Sequence, residues 1–174
     1  MAQIIEAPNT DVRKFASVFL AGGITKCEDW QSKVIERLEP YGITVFNPRR
    51  KNFDISNKTE ELKQIVWEFR RLEEMDIFSM YFCNSESDQP ICMYELGRYI
   101  CRMQERFPND WEDRIVISVE EGYSRADDVF VQTKLAGLSL TNVNAGASPN
   151  SHAYRILQAL DKITSGYTVS LMFG

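Results

Sequence analysis

The carboxylates are the side chains of this sequence best placed to do chemistry. Glu95 lies in ICMYELGRYIC, an apolar segment expected to pack as a helix against a sheet. On helical spacing it shares a face with Ile91, Cys92 and Tyr99. A carboxylate on such a stripe is either an ion-paired structural group or a functional one whose pKa is tuned by its surroundings. Gly97 costs about 1 kcal/mol relative to alanine inside a helix, which implies close packing or room for a ligand. Glu68 sits amid large apolar groups in Val66-Trp67-Glu68-Phe69, where the alternative is a solvent-facing charge or a partner for Arg71 at i+3. Asp88 reads first as the N-cap of the Glu95 helix. Two carboxylates brought to one pocket are the minimal equipment for breaking a glycosidic bond, one attacking the sugar and one managing protons.

Positioning such groups requires a scaffold, and the chain alternates short apolar runs with longer amphipathic segments. Strands are expected at Ser17–Gly23 (SVFLAGG), Ile43–Asn47, Ile77–Cys83, Arg114–Val119 and, as a fifth, in LSLTNV. Helices are expected after Glu28-Asp29 in WQSKVIERLEPYG, in KTEELKQIVWEFRRLEEMD, in PICMYELGRYICRMQERF with Pro90 in its first turn, from about Asp127 to the stop at Gly137, and in SHAYRILQALDKI. The second of these carries Leu62, Ile65, Val66, Phe69, Leu72 and Met75 as a stripe facing a core, with Arg70, Arg71, Glu73 and Glu74 turned away. The pattern is α/β: an open, doubly wound parallel sheet of about five strands flanked by helices, in one domain over 1–174 with 1–15 as an N-terminal extension.

Ligands of such sheets bind outside the carboxyl ends of the strands. The first strand ends there in Ala21, Gly22 and Gly23, the second in Asn47, Pro48, Arg49 and Arg50, and the third in a Ser/Asn/Asp loop that runs through Asp88 and Gln89 into the Glu95 helix. Glycines let backbone approach a ligand closely, or simply make a tight turn. They do not match a dinucleotide or Walker A fingerprint. Arg49 and Arg50 could receive a 5′-phosphate bidentately, with Ser85 and Ser87 adding hydroxyls; the alternative is pairing with acidic neighbours. Asp76 begins the third strand and can cap the preceding turn.

Composition narrows the partners. The 174 residues carry 20 Lys+Arg against 25 Asp+Glu, a net charge of −5. That balance argues against tracking a nucleic-acid polymer, which needs clustered basic residues. Cys27, Cys83, Cys92 and Cys101 follow no metal-binding spacing, and the single histidine, His152, reads as a surface residue of the last helix, so no metal site is expected. Four reduced thiols in a cytoplasmic protein are expected. No segment is apolar enough to span a bilayer, so no membrane partner is expected either. The apolar tail YTVSLMFG needs covering, which predicts a homodimer or larger assembly.

The series VFLAGGI, W, GITVFNPRR followed by FD, IVWEFRRLEEMDIFSMYF, QPICMYELGRYI and EGYSRADDVFVQT resembles the nucleoside 2-deoxyribosyltransferase-like family, from about Val18 to Leu135. The most specific part is the combination of Trp67-Glu68, the strand-initial Asp76 and P-I-x-x-x-E-L-G. The resemblance implies a flavodoxin-like fold and a ping-pong exchange of nucleobases on 2-deoxyribose, of use in nucleobase salvage and needing no cofactor. It makes Glu95 the nucleophile that forms a deoxyribosyl ester, and Glu68 the acidic residue that positions substrate or handles the base proton. A second acidic group contacts the base in better-known members; here Asp88 and Gln89 compete for that place. The partners implied are a deoxynucleoside or nucleotide and a free base. The family assembles sites across subunit interfaces, for which Asn142 and Asn144 are candidates. The same residues leave open an N-glycosidase acting on a nucleotide or NAD, and a nucleotide-binding sensor without turnover.

Overall fold

Val18 and Leu20 on one side of a strand, and Phe19 and Ala21 on the other, are all buried. A strand buried on both faces needs helices on both. The computed structural model describes residues 1–51 and 57–172, with side chains through residue 165. Phe53 and Asp54, and the side chains of the YTVSLMFG tail, lie outside the described residues.

The elements run β1 (Gln3–Glu6), β2 (Ser17–Gly22), α1 (Trp30–Leu38), β3 (Thr44–Asn47), α2 (Lys58–Glu74), β4 (Ile77–Phe82), α3 (Pro90–Arg106), β5 (Ile115–Val119), α4 (Ala126–Leu135), β6 (Val143–Ala145) and α5 (Pro149–Met172). The strands pair in parallel in the order β1, β3, β2, β4, β5, β6. This is the doubly wound, flavodoxin-like arrangement. One core layer joins Phe19, Phe46, Phe78 and Met80 to Trp67 of α2, Leu96 of α3 and Val129 of α4. The other joins Leu20, Val45 and Tyr81 to Trp30 and Val34 of α1 and Ile156 of α5.

Local signals explain most boundaries. Asp29 caps α1 by accepting from Ser32 N at 3.1 Å, and Asn57 caps α2 through Thr59 N at 3.1 Å. Pro90 occupies the first turn of α3. Asp88 does not cap it: Gln89 holds that place in a left-handed conformation, φ 49°, without a side-chain cap.

Four expectations are corrected. The sheet has six strands rather than about five among the described residues, because Gln3–Glu6 within the N-terminal segment pairs with β3. The last strand occupies only Val143–Ala145, since Leu140–Asn142 forms a 3₁₀ turn. Helix α2 turns Gln64, Trp67, Arg71 and Leu72 inward, leaving Leu62, Ile65, Val66 and Phe69 exposed. The reason is the unpaired segment after β1: Trp67 Nε1 donates to Asn9 O at 2.6 Å, and Arg71 donates to Asn9 O at 3.2 Å and Asp11 O at 3.0 Å. Those backbone carbonyls need donors, and α2 presents its own.

His152 is the fourth. It is fully buried between Trp30 and Tyr81, with Ser118 Oγ at 2.8 Å from Nδ1 and Ser79 Oγ at 3.3 Å from Nε2. Ser79 spends its hydroxyl proton on Phe19 O, so it accepts from Nε2–H and leaves Nδ1 to accept from Ser118. Burial pushes this imidazole down to about 3.

Candidate active site

Strands β2 and β4 are neighbours whose outgoing connections leave in opposite directions along the sheet, to β3 on one side and β5 on the other. That is where an open sheet parts its loops. A cavity of about 290 Å³ opens there, floored by Phe19 and Ala21 and walled by the Gly22–Thr25 turn, Pro48, and the start of α3. Its size is at the small end of ligand sites.

Glu68 and Glu95 both line it. Each is half-buried. Glu95 is pushed up to about 8, first by withdrawal from water and then by the charge of Glu68. Glu68 is raised by burial and partly restored by a hydrogen bond from Gln64 Nε2 to its Oε1, 2.7 Å long. Cys92, one turn before Glu95, is pushed up to about 12 by burial and by Glu95, so its thiol is inert at neutral pH. Gly97 is exposed, and a Cβ there would meet nothing within 4 Å. Neither close packing nor the cavity explains it. Tyr94 beside the nucleophile candidate is 66% exposed and turns away from the cavity.

The glycine turn is required by its neighbours. Gly22 has φ 150°, and a Cβ on it would fall 2.6 Å from Trp30 and collide with the Tyr81 carbonyl. A Cβ on Gly23 would sit 2.6 Å from Gln89 Oε1 and 2.7 Å from Cys83 Sγ. Cys83 is joined to Cys27 in a disulfide, which corrects the expectation of four free thiols; Cys92 and Cys101 are free. The pairing follows from the turn, which folds Cys27 back against the end of β4.

Gln89 is 4% exposed and lines the cavity. Its Nε2 donates to Cys83 O at 2.7 Å, while its Oε1 has no partner among the described residues. Asp88 is exposed and held outside: Ser124 Oγ donates to its Oδ1 and Tyr123 to its carbonyl, both at 2.9 Å. Of the two competing residues, Gln89 is the one brought to the cavity. The motif EGYSRADDV thus braces the loop from behind.

Six other sequence candidates lie outside the cavity lining. Asp76 stands at the amino end of β4, opposite the cavity, where it pairs with Arg13 and accepts from Ser17 N at 2.9 Å. Arg49 is spent on the wall: its Nη2 donates to Ile24 O, Cys27 O and Glu28 O, and its Nε to Gln31 Oε1 at 2.8 Å. Arg50 pairs with Glu60 at 3.0 Å. Among the described residues the cavity wall contains no arginine or lysine, and of the two readings of Arg49 and Arg50 these contacts match pairing within the chain. Asn47 is buried and accepts from Arg49 N. Asn142 and Asn144 donate within the chain, to Glu112 O and Ser151 Oγ.

Gln64 is the residue the sequence reading missed. Its position one turn before Glu68, on the same helix face, is a signal for it. No group of three or more metal-ligating side chains occurs among the described residues, nor any helix long and apolar enough to cross a membrane.

Two withdrawn carboxylates at the carboxyl edge of an α/β sheet can serve glycosyl transfer, one as nucleophile and one as acid. The chain belongs to the nucleoside 2-deoxyribosyltransferase-like family, whose model matches residues 16–107, just over half of its length. The match spans β2 to α3 and therefore every cavity residue named above. It supports a function related to that family's, of the glycosyl-transfer type. Among curated proteins no match was found.

Proposed function

We propose that the protein transfers 2-deoxyribose between nucleobases by a ping-pong mechanism through a deoxyribosyl ester on Glu95. The observation that carries the reading is the pair Glu68 and Glu95 lining one cavity, both withdrawn from water. Around neutral pH such a pair holds one proton, which belongs to the pair rather than to either residue. The reactive form has Glu95 ionised and the proton on Glu68. A Glu95 carboxylate oxygen bonds to C1′ as the C1′–N bond breaks, and the departing base takes the proton of Glu68. An incoming base then attacks C1′, its proton returns to Glu68, and the ester bond breaks to restore Glu95. Phe19 and Ala21 supply an apolar floor for the ligand. Gln89 Oε1 offers an acceptor to an N–H of the base.

Absence of a cationic group from the described wall favours a nucleoside over a nucleotide. A cytoplasmic setting belongs to the proposal from the sequence; the Cys27–Cys83 bond is the feature that does not favour it, and counting thiols in protein from a reducing cell tests it.

The test is chromatography of protein incubated with 2′-deoxyinosine or thymidine, with and without adenine. A new deoxynucleoside formed only with adenine present, and absent with Glu95→Gln, is expected. Free base released at the same rate without adenine would make the protein an N-glycosidase. Binding by calorimetry without any product would make it a sensor.

A further inference from the structure

Gln64 is 8% exposed, in the middle of a helix whose neighbouring side chains Ile65 and Val66 face solvent. Burying a carboxamide is unfavourable unless its donors are used. Both Nε2 protons are: one goes to Pro48 O at 2.8 Å, the other to Glu68 Oε1 at 2.7 Å. Pro48 and Glu68 are both cavity residues, one from the exit of β3 and one from α2. The carboxamide is therefore a strut between two walls of the candidate site. Its donation to Glu68 has a consequence beyond fixing position. An oxygen that accepts a hydrogen bond from an amide cannot simultaneously direct a proton of its own at that amide. Glu68 Oε2 makes no hydrogen bond among the described residues.

We infer that Gln64 is a positioning residue that confines the acidic proton of Glu68 to Oε2, the oxygen left free for a ligand, by occupying Oε1 as an acceptor. The inference rests on the proposed role of Glu68 in the base-exchange reaction. Without Gln64 the proton would distribute over both oxygens, and the carboxyl could turn about its last torsion. With it, the neutral acid has one orientation, which is the preorganisation that general-acid transfer requires. Among the described residues, the other titratable groups facing Glu68 are Glu95 and Cys92 on α3; the exit of β3 presents the Pro48 carbonyl. Neither Glu95 nor Cys92 donates to Oε1. The amide also stabilises the ionised form of Glu68, against the effect of burial.

The test does not depend on turnover. In protein carrying ¹³C-labelled glutamate carboxyls, with Glu68→Gln used to assign the signal, the titration midpoint of Glu68 is measured in wild type, Gln64→Leu and Gln64→Met. The expected result is a midpoint at least one pH unit higher in either variant. An unchanged midpoint in a folded variant overturns the inference. If neither variant folds, the wild type alone decides: the ¹⁵N-labelled side-chain amide of Gln64 is expected to shift with the Glu68 midpoint, and an amide indifferent to that titration overturns the inference. Kinetics then separate the two levels. Where wild type exchanges bases, Gln64→Leu is expected to lower kcat at least tenfold with KM changed less than threefold, and an unchanged kcat contradicts the positioning role. A wild type without exchange but with the expected midpoint shift overturns the proposed reaction and leaves the Gln64–Glu68 coupling standing.

Discussion

Glu95 and Glu68 are useful to the reaction only in one of their shared protonation states. Both are raised by burial, Glu95 further by Glu68, while Gln64 pulls Glu68 back. Exchange should therefore follow a bell in pH, with the alkaline limb of kcat/KM near 8, where the pair loses its last proton. Glu68→Gln removes the proton donor and the repelling charge together. We expect a loss on the order of 10²-fold in kcat and disappearance of the alkaline limb, with the acid limb little moved, because burial still raises Glu95 and the partner it faces on that limb is neutral in both proteins. An alkaline limb unchanged in that variant would refute the assignment. These two residues were legible in the sequence because a carboxylate among large apolar neighbours demands an account. Asp88 and Gln89 were not separable there. The left-handed backbone at Gln89 turns one side chain in and the other out, and nothing in residue type announces that turn.

At the scale of elements, the cavity wall formed by the turn after β2 depends on a side chain from the next strand. Arg49 supplies donors to three carbonyls of residues 24–28, tying Ile24, Cys27 and Glu28 to one guanidinium, beyond the backbone bonds that Ile24 O and Glu28 O also accept. Arg49→Met is expected to raise KM for the deoxynucleoside several-fold with a smaller change in kcat, and to lower Tm. A lower kcat at unchanged KM, read from initial rates, would place Arg49 in the chemistry instead. The strand ends were predictable from Gly22-Gly23 and Pro48, and the starts of α1 and α3 from Asp29 and Pro90. The rotation of α2 was not, because it answers to carbonyls at Asn9 and Asp11 that are distant in sequence. The edge strand at Gln3–Glu6 was missed for a similar reason: four residues carry too little periodicity, and pairing with β3 defines them.

For the whole molecule, the outward apolar side chains matter most. Leu62, Ile65, Val66 and Phe69 on α2 and Ile91 and Tyr94 on α3 are each at least 46% exposed, and Arg98 of α3 lies over the Phe69 ring at 4.9 Å, joining the two helices into one face. A face of this kind marks an interaction surface. We propose that a second copy covers it. Sedimentation should give a dimer or larger assembly, and Ile65→Glu with Phe69→Glu should give monomers; a monomeric wild type would contradict this. The interior makes a second demand on the molecule. His152 is held neutral in the fold, its pKa moved from 6.5 to about 3, so the unfolded chain binds the extra proton between those values. Stability is thus full above about pH 6.5 and falls as pH drops toward 3, with a slope approaching ~1.4 kcal/mol per pH unit from this residue. Urea titrations from pH 7 to 4 should show that slope shrink in His152→Gln, and an equal slope in both would refute it. The sequence placed His152 on a helix but read it as a surface residue, since the partners Ser79 and Ser118 that bury it come from two separate strands.

The decisive intermediate of the proposed reaction is a covalent bond between Glu95 and the sugar. Intact-mass spectrometry of protein mixed with a 2′-deoxynucleoside and quenched in acid within one turnover, followed by peptide mapping, tests it directly. We predict a gain of one deoxyribosyl group, located on the peptide containing Glu95 and absent from Glu95→Gln. Turnover of the same substrate with unmodified protein at every quench time, or with the sugar on another residue, would rule out Glu95 as the nucleophile.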